Sequence, residues 1–202
     1  MMQTRYYIVL CVFMAIQALL VRPAQAQIAI IADEVSGRPI HSAMHTNVQG
    51  EPLLFKDWQK ATVHFDNGEK LKNLDVRYDL IDDVLFFKAA NGQVYYFKHK
   101  VTEFWLHTEG KDMHFKAGLP AVDGQSASNY YEVLVEGPVS LLKMRKKTIQ
   151  ESQVYGSSTA QRLIHDVENL YIYVNGSMHK VKRSEKSVLS ALQPERAALK
   201  KL

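Results

Sequence analysis

Along residues 61–183, short apolar and aromatic runs alternate with turn signals, and many of the runs carry the two-residue period of β-strands. Asn-Gly pairs stand at Asn67-Gly68, Asn91-Gly92 and Asn175-Gly176. Both residue types tolerate the positive φ that tight hairpin turns require, so each pair predicts a hairpin. Glu109-Gly110 and Glu136-Gly137-Pro138 predict two more turns. Strands are expected at 61–65, 71–78, 84–88, 93–98, 102–108, 112–116, 130–135, 139–144, 163–166, 170–174 and 177–182. Strands this short, joined this tightly, predict an all-β fold: a mainly antiparallel hairpin meander, barrel-like or sandwich-like, with a short C-terminal helix. In Val84-Leu85-Phe86-Phe87 and Val94-Tyr95-Tyr96-Phe97 both alternating faces are apolar or aromatic, so cover on both faces is expected there.

Outside that region the pattern changes. Residues 27–60 are mixed in composition and broken by Gly37, Pro39 and Gly50, which predicts an irregular segment, with Ile28 to Ile31 as a short strand or lead-in. In the tail at 184–202, Ser184 is placed to cap a helix carrying Val188, Leu189 and Leu192, and Pro194 to start another turn. At the other end, Arg5 precedes an apolar run from Tyr6 to Val21, and Ala24-Gln25-Ala26 follows with small residues at the two positions that a signal peptidase reads. Residues 1–26 therefore read as a secretory signal peptide, with the mature chain beginning near Gln27 and working in the periplasm or outside the cell. No second long apolar segment follows, so no transmembrane helix is expected.

Composition narrows the chemistry. The chain has 202 residues and a formal charge of +4, which becomes +2 when Arg5 and Arg22 leave with the signal. So balanced a charge offers no dominant basic field for nucleic acid. The single cysteine, Cys11, lies inside the signal, so no disulfide or thiolate metal site is expected in the mature protein. Nucleophile elbows, phosphate loops and dinucleotide fingerprints are absent, and no cofactor is expected. Ser152, Ser157, Ser158 and Thr159 cluster around Gly156 and read as a flexible loop.

The remaining candidates each carry a bland alternative. His41 and His45 have the four-residue spacing of a shared metal site on a helix, although Gly37 and Pro39 disfavour a helix there, and solvated loop histidines fit as well. Asp75, Asp79, Asp82 and Asp83 suit calcium or acid–base work, or simply an acidic turn. Hydrolysis by dispersed groups would need His107 and His114 to converge with Asp79, Asp82 or Asp83. The basic run Lys143-Met144-Arg145-Lys146-Lys147 suits an edge strand guarded against aggregation, or contact with anionic lipid or glycan. Tyr95, Tyr96, Trp105, Tyr130 and Tyr131 would form a ligand-stacking platform if exposed, and ordinary sheet filling if buried.

Asn47-Val48-Gln49-Gly50, Pro52-Leu53-Leu54, Asp57-Trp58, Val63, Gly68, Leu74-x-Val76-Arg77-Tyr78-Asp79 and Asp83-x-Leu85-x-Phe87-Lys88 stand in this order, followed by Tyr131-Glu132-Val133-Leu134 and Gly137-x-Val139-x-Leu141-Leu142-Lys143. Over roughly residues 47–192 this pattern resembles a group of uncharacterised exported proteins of Bacteroidetes-type bacteria. The resemblance implies a bacterial envelope protein with a mainly β fold, and brings no activity with it. The expected function is a non-catalytic binding or interaction module with an envelope protein, glycan or lipid as partner. The alternatives are a lipid or small-ligand carrier with an apolar pocket, and a hydrolase.

Overall fold

A computed structural model describes residues 35–40, 45–153 and 160–199. The signal peptide, the run Ile28 to Ile31, His41, Ser157, Ser158 and Thr159 lie outside these residues. The chain from Val35 onward builds one antiparallel sheet of eleven strands. The strands are β1 (Ser36–Pro39), β2 (Gln59–Phe65), β3 (Lys70–Asp79), β4 (Val84–Lys88), β5 (Val94–Phe97), β6 (Val101–His107), β7 (Met113–Lys116), β8 (Tyr131–Val135), β9 (Val139–Gln153), β10 (Ala160–Val174) and β11 (Ser177–Val181). Their order is β1-β5-β4-β3-β2-β6-β7-β8-β9-β10-β11, with β1 and β11 at opposite ends. The sheet is therefore open, neither a closed barrel nor a sandwich of separate sheets.

All three Asn-Gly pairs make turns, in two ways. Asn175 and Gly176 both take positive φ (46° and 77°), forming the two-residue loop between β10 and β11. At Gly68 and Gly92 only the glycine is left-handed (85° and 82°). There a longer turn closes through Phe65 N–H to Glu69 C=O (3.0 Å) or Ala89 N–H to Gln93 C=O (2.8 Å).

Register explains the burial. Phe104 sits opposite Val63 and Phe115, and Tyr78 opposite Leu85. Tyr78, Phe104 and Phe115 are buried, their ring centroids 4.8 to 5.4 Å apart. Further along, adjacent residues of β10 point to opposite faces. Tyr171 packs with Leu119, Tyr131, Leu142 and Met144, while Ile172 joins Val174 and Val181 beneath the helix α1 (Glu185–Leu199). The Ser184 hydroxyl accepts from the Ser187 N–H (3.4 Å), as an N-cap should. The buried stripe is Val188, Ala191 and Leu192, with Leu189 outside it, and the helix runs on through Pro194 instead of restarting there.

Four sequence expectations change. Ser36–Pro39 is an edge strand on β5 and not irregular, and an edge is where Pro39 costs no ladder bond. The strands expected at 163–166 and 170–174 are one strand, β10, because Val167, Glu168 and Asn169 stay paired to Lys146, Arg145 and Met144. The strand expected at 139–144 runs on to Gln153. Of its basic run, Lys143 lies between β8 and β10, and the residues through Lys147 pair with β10 while the Lys147 N–H donates to Leu80 C=O (2.9 Å) on the other side. Lys143 and Arg145 pair with Glu132 and Glu168, and Lys147 with Asp166, so neighbouring strands supply the countercharge.

Candidate functional site

The turn between β3 and β4 gathers the polar groups that the sequence distributes most widely. Asp79, at the end of β3, is fully buried. One of its oxygens accepts the N–H groups of Ile81 (2.8 Å) and Asp82 (3.2 Å), the self-bonded turn that Asp favours. A crossing segment covers this end of the strand. Leu54 N–H donates to Tyr78 C=O (2.9 Å), Leu80 N–H to Pro52 C=O (3.0 Å), and Lys147 Nζ reaches the carbonyls of Glu51 (2.7 Å) and Leu53 (3.1 Å). Gln49 bonds the outer edge of β10 through its N–H to Arg162 C=O (2.8 Å) and its C=O to Ile164 N–H (3.0 Å). So anchored, the segment delivers His45 Nε2 to 2.9 Å from Asp79 Oδ2 and 3.5 Å from Asp82 Oδ2.

On the other side of the turn, Asp83 adopts a left-handed conformation (φ 56°) and turns inward. It accepts the Tyr78 hydroxyl, the Asn129 side-chain amide (2.7 Å) and the Tyr130 N–H (3.2 Å). Burial pushes its carboxyl above the ordinary carboxylate range, while these hydrogen bonds and the charge of Lys146 pull the other way. Beside it opens a cavity of about 360 Å³. Leu85, Tyr96, Phe97 and Tyr130 are among its walls, and Asp82, Lys100 and Asn129 among its polar groups. Larger clefts of about 620 and 640 Å³ flank α1, lined by Lys180, Lys182 and serines. The smaller cavity joins concavity, aromatic walls and a perturbed carboxyl, which is the usual mark of a binding site.

Because Asp83 takes up a proton more readily folded than unfolded, its contribution has an unusual sign. Its ionisation weakens the fold, so stability attributable to it should grow as pH falls through its raised native value toward the unfolded value near 3.8. Relative to Asp83→Asn, the wild-type melting temperature should rise between about pH 7 and about pH 4. Thermal unfolding of both proteins across that range measures it, and a difference that is flat or falls on acidification contradicts it.

The five aromatic candidates do not form one platform. Tyr95 lies by Phe87 (6.0 Å between centroids), whereas its neighbour Tyr96 packs under the Arg38 guanidinium (5.2 Å), since adjacent strand positions face opposite ways. Trp105 is stacked on His114 (4.4 Å) with His64 also against it (4.7 Å). Tyr131 has no exposure and packs on Tyr171, which rules it out as a ligand contact. Only Tyr96 and Tyr130 reach the cavity, and Tyr130 also anchors it by donating to Val101 C=O (3.0 Å).

Nor do the residues required for the dispersed hydrolase converge. His107 pairs with Asp112 (3.1 Å) and Thr62 (3.0 Å), and His114 with Glu103 (2.6 Å). Asp79 meets His45 instead, a histidine whose expected partner, His41, lies outside the described residues. Asn129 and Lys100 carried no signal in the sequence beyond their position in turns.

Among the described residues no helix is long and apolar enough to cross a membrane. No protein-family model, characterised protein or solved structure matched this chain.

Proposed function

We propose that this chain is an exported bacterial envelope protein acting as a non-catalytic binding module, and that the cavity beside Asp83 takes a small polar ligand, with saccharides the leading class. The cavity itself carries the proposal. Its volume of about 360 Å³ suits one or two sugar rings better than an acyl chain, and Asp82 and Lys100 put both signs of charge among its lining. An apolar carrier would need a dry lining. Here aromatic walls at Tyr96 and Tyr130 alternate with donors and acceptors from Ser128, Asn129 and His99, a mixture suited to a sugar's apolar face and hydroxyl rim. Export rests on the signal-like residues 1–26.

Native mass spectrometry of the protein mixed with oligosaccharides released from bacterial envelopes tests this. A one-to-one adduct is expected, weakened at least about tenfold by Tyr96→Ala and by Lys100→Ala, and untouched by the distant Lys180→Ala. Absence of any saccharide adduct, or an adduct indifferent to the two cavity substitutions, overturns the assignment. An adduct with the mass of an acyl lipid would favour the carrier.

A further inference from the structure

We propose that His45, Asp79 and Asp82 form a binding site for a divalent transition-metal cation of the zinc or cobalt kind, at the rim of the neighbouring cavity with which it shares Asp82. Among the described residues, this is the group of at least three ligating side chains whose donor atoms all lie within 4.8 Å of one another. His45 Nε2 stands 2.9 Å from Asp79 Oδ2 and 3.5 Å from Asp82 Oδ2. Ligands about 2.1 Å from a common ion are about 3.0 Å apart at right angles and about 3.4 Å apart in a tetrahedron, so both separations are edges of ordinary coordination polyhedra. An ion pair explains the first distance by itself. It does not explain why a second carboxylate from the same turn closes on the same nitrogen.

The donor chemistry selects the metal. One imidazole nitrogen with two carboxylate oxygens suits zinc and its neighbours, whereas calcium wants six to eight oxygens and takes none from imidazole. Two carboxylates balance the charge of a dication, and Asp79, with no exposure, is the kind of buried charge that must be compensated. Its other oxygen is held by the Ile81 and Asp82 N–H groups, the outer-shell bracing that orients a metal-binding carboxylate. Asp82 is half exposed (53%), so an ion can enter from solvent and keep one or more positions for water.

Cobalt(II) titration of the purified full chain, followed by its visible absorption and by displacement with zinc, is the test. One equivalent should bind, with zinc competing. His45→Gln and Asp82→Asn should each weaken it by at least about tenfold, and His114→Gln, in the separate pair with Glu103, should leave it unchanged. Circular dichroism of the metal-free variants checks folding. Asp82 is exposed enough that its amide variant should fold even if His45→Gln does not. No stoichiometric binding, binding as tight in Asp82→Asn as in wild type, or loss of binding in His114→Gln overturns the proposal. Cobalt binding measured without saccharide, and saccharide binding measured in chelator, separate failure here from failure of the cavity assignment.

Discussion

Above about pH 10 the domain should unfold cooperatively, with its four core tyrosines ionising as a consequence of unfolding and not before it. Four phenols in the core have their ionisation raised: Tyr78, Tyr130, Tyr131 and Tyr171. Burial is the largest cause in each, and nearby carboxylates add to it, Asp83 for Tyr78, Tyr130 and Tyr131, and Asp123 for Tyr171 and Tyr131. The native pKa lies above the unfolded value near 10.0 in every case, so the unfolded chain sheds protons that the native state retains. The stability that these groups confer is complete below that value and is lost as the pH climbs beyond it. A phenol that stays protonated in the native state adds at most about 1.4 kcal/mol per pH unit to that loss, against a total of about 5–15 kcal/mol for an ordinary domain. On one alkaline titration, far-ultraviolet circular dichroism should be lost in the same step in which the last four of the chain's ten tyrosines gain tyrosinate absorbance. Complete tyrosinate absorbance with the sheet intact would mean that water already reaches those four hydroxyls.

The same tyrosines show what the sequence makes legible. Hairpins at Asn67-Gly68, Asn91-Gly92 and Asn175-Gly176 follow from local backbone preference, which needs no knowledge of the rest of the chain, and strands β2 to β8 and β11 were expected within two residues at either end. The full length of β9 and β10 was hidden, because Lys143 to Lys147 and Glu168 break the apolar pattern. Their charges become acceptable only when the two strands face each other and Arg145 meets Glu132 and Glu168. Site residues were legible to the degree that they were local. The carboxylates of the 79–83 turn were visible as a cluster. His45 was visible only as half of a pair with His41, since its approach to Asp79 spans 34 positions and depends on where the crossing segment lands. The divided aromatic set has the same origin. Neighbours in sequence such as Tyr95 and Tyr96 look like one site, yet the pleat sends them to opposite faces.

That dependence of His45 on a distant anchor makes Gly50→Ala the most informative single substitution, with an expected loss of about 2–5 kcal/mol. Gly50 sits at φ 121°, a conformation that L side chains rarely adopt, and an added Cβ would lie 2.9 Å from the Cβ of Ile164 on β10. The Ile164 Cβ is fixed to the backbone of a strand paired over fifteen residues, so it cannot swing aside as the end of a long side chain would. Relief must come from the segment itself, by breaking the Gln49 bonds to Arg162 and Ile164 and lifting Gly50 off the sheet. Two effects should then separate. Stability falls, read as a lower urea midpoint. Hydrogen exchange should also accelerate at the Leu54 and Leu80 amides, which close this segment onto the end of β3, while amides of β6 and β7 keep their protection. His45, five residues from Gly50 on the same segment, would lose its fixed distance to Asp79, so cobalt affinity should fall in this variant although no proposed ligand has been changed. Retention of wild-type metal affinity together with fast exchange at Leu54 would show that His45 is held by its own contacts and not by the anchor at Gln49 and Gly50.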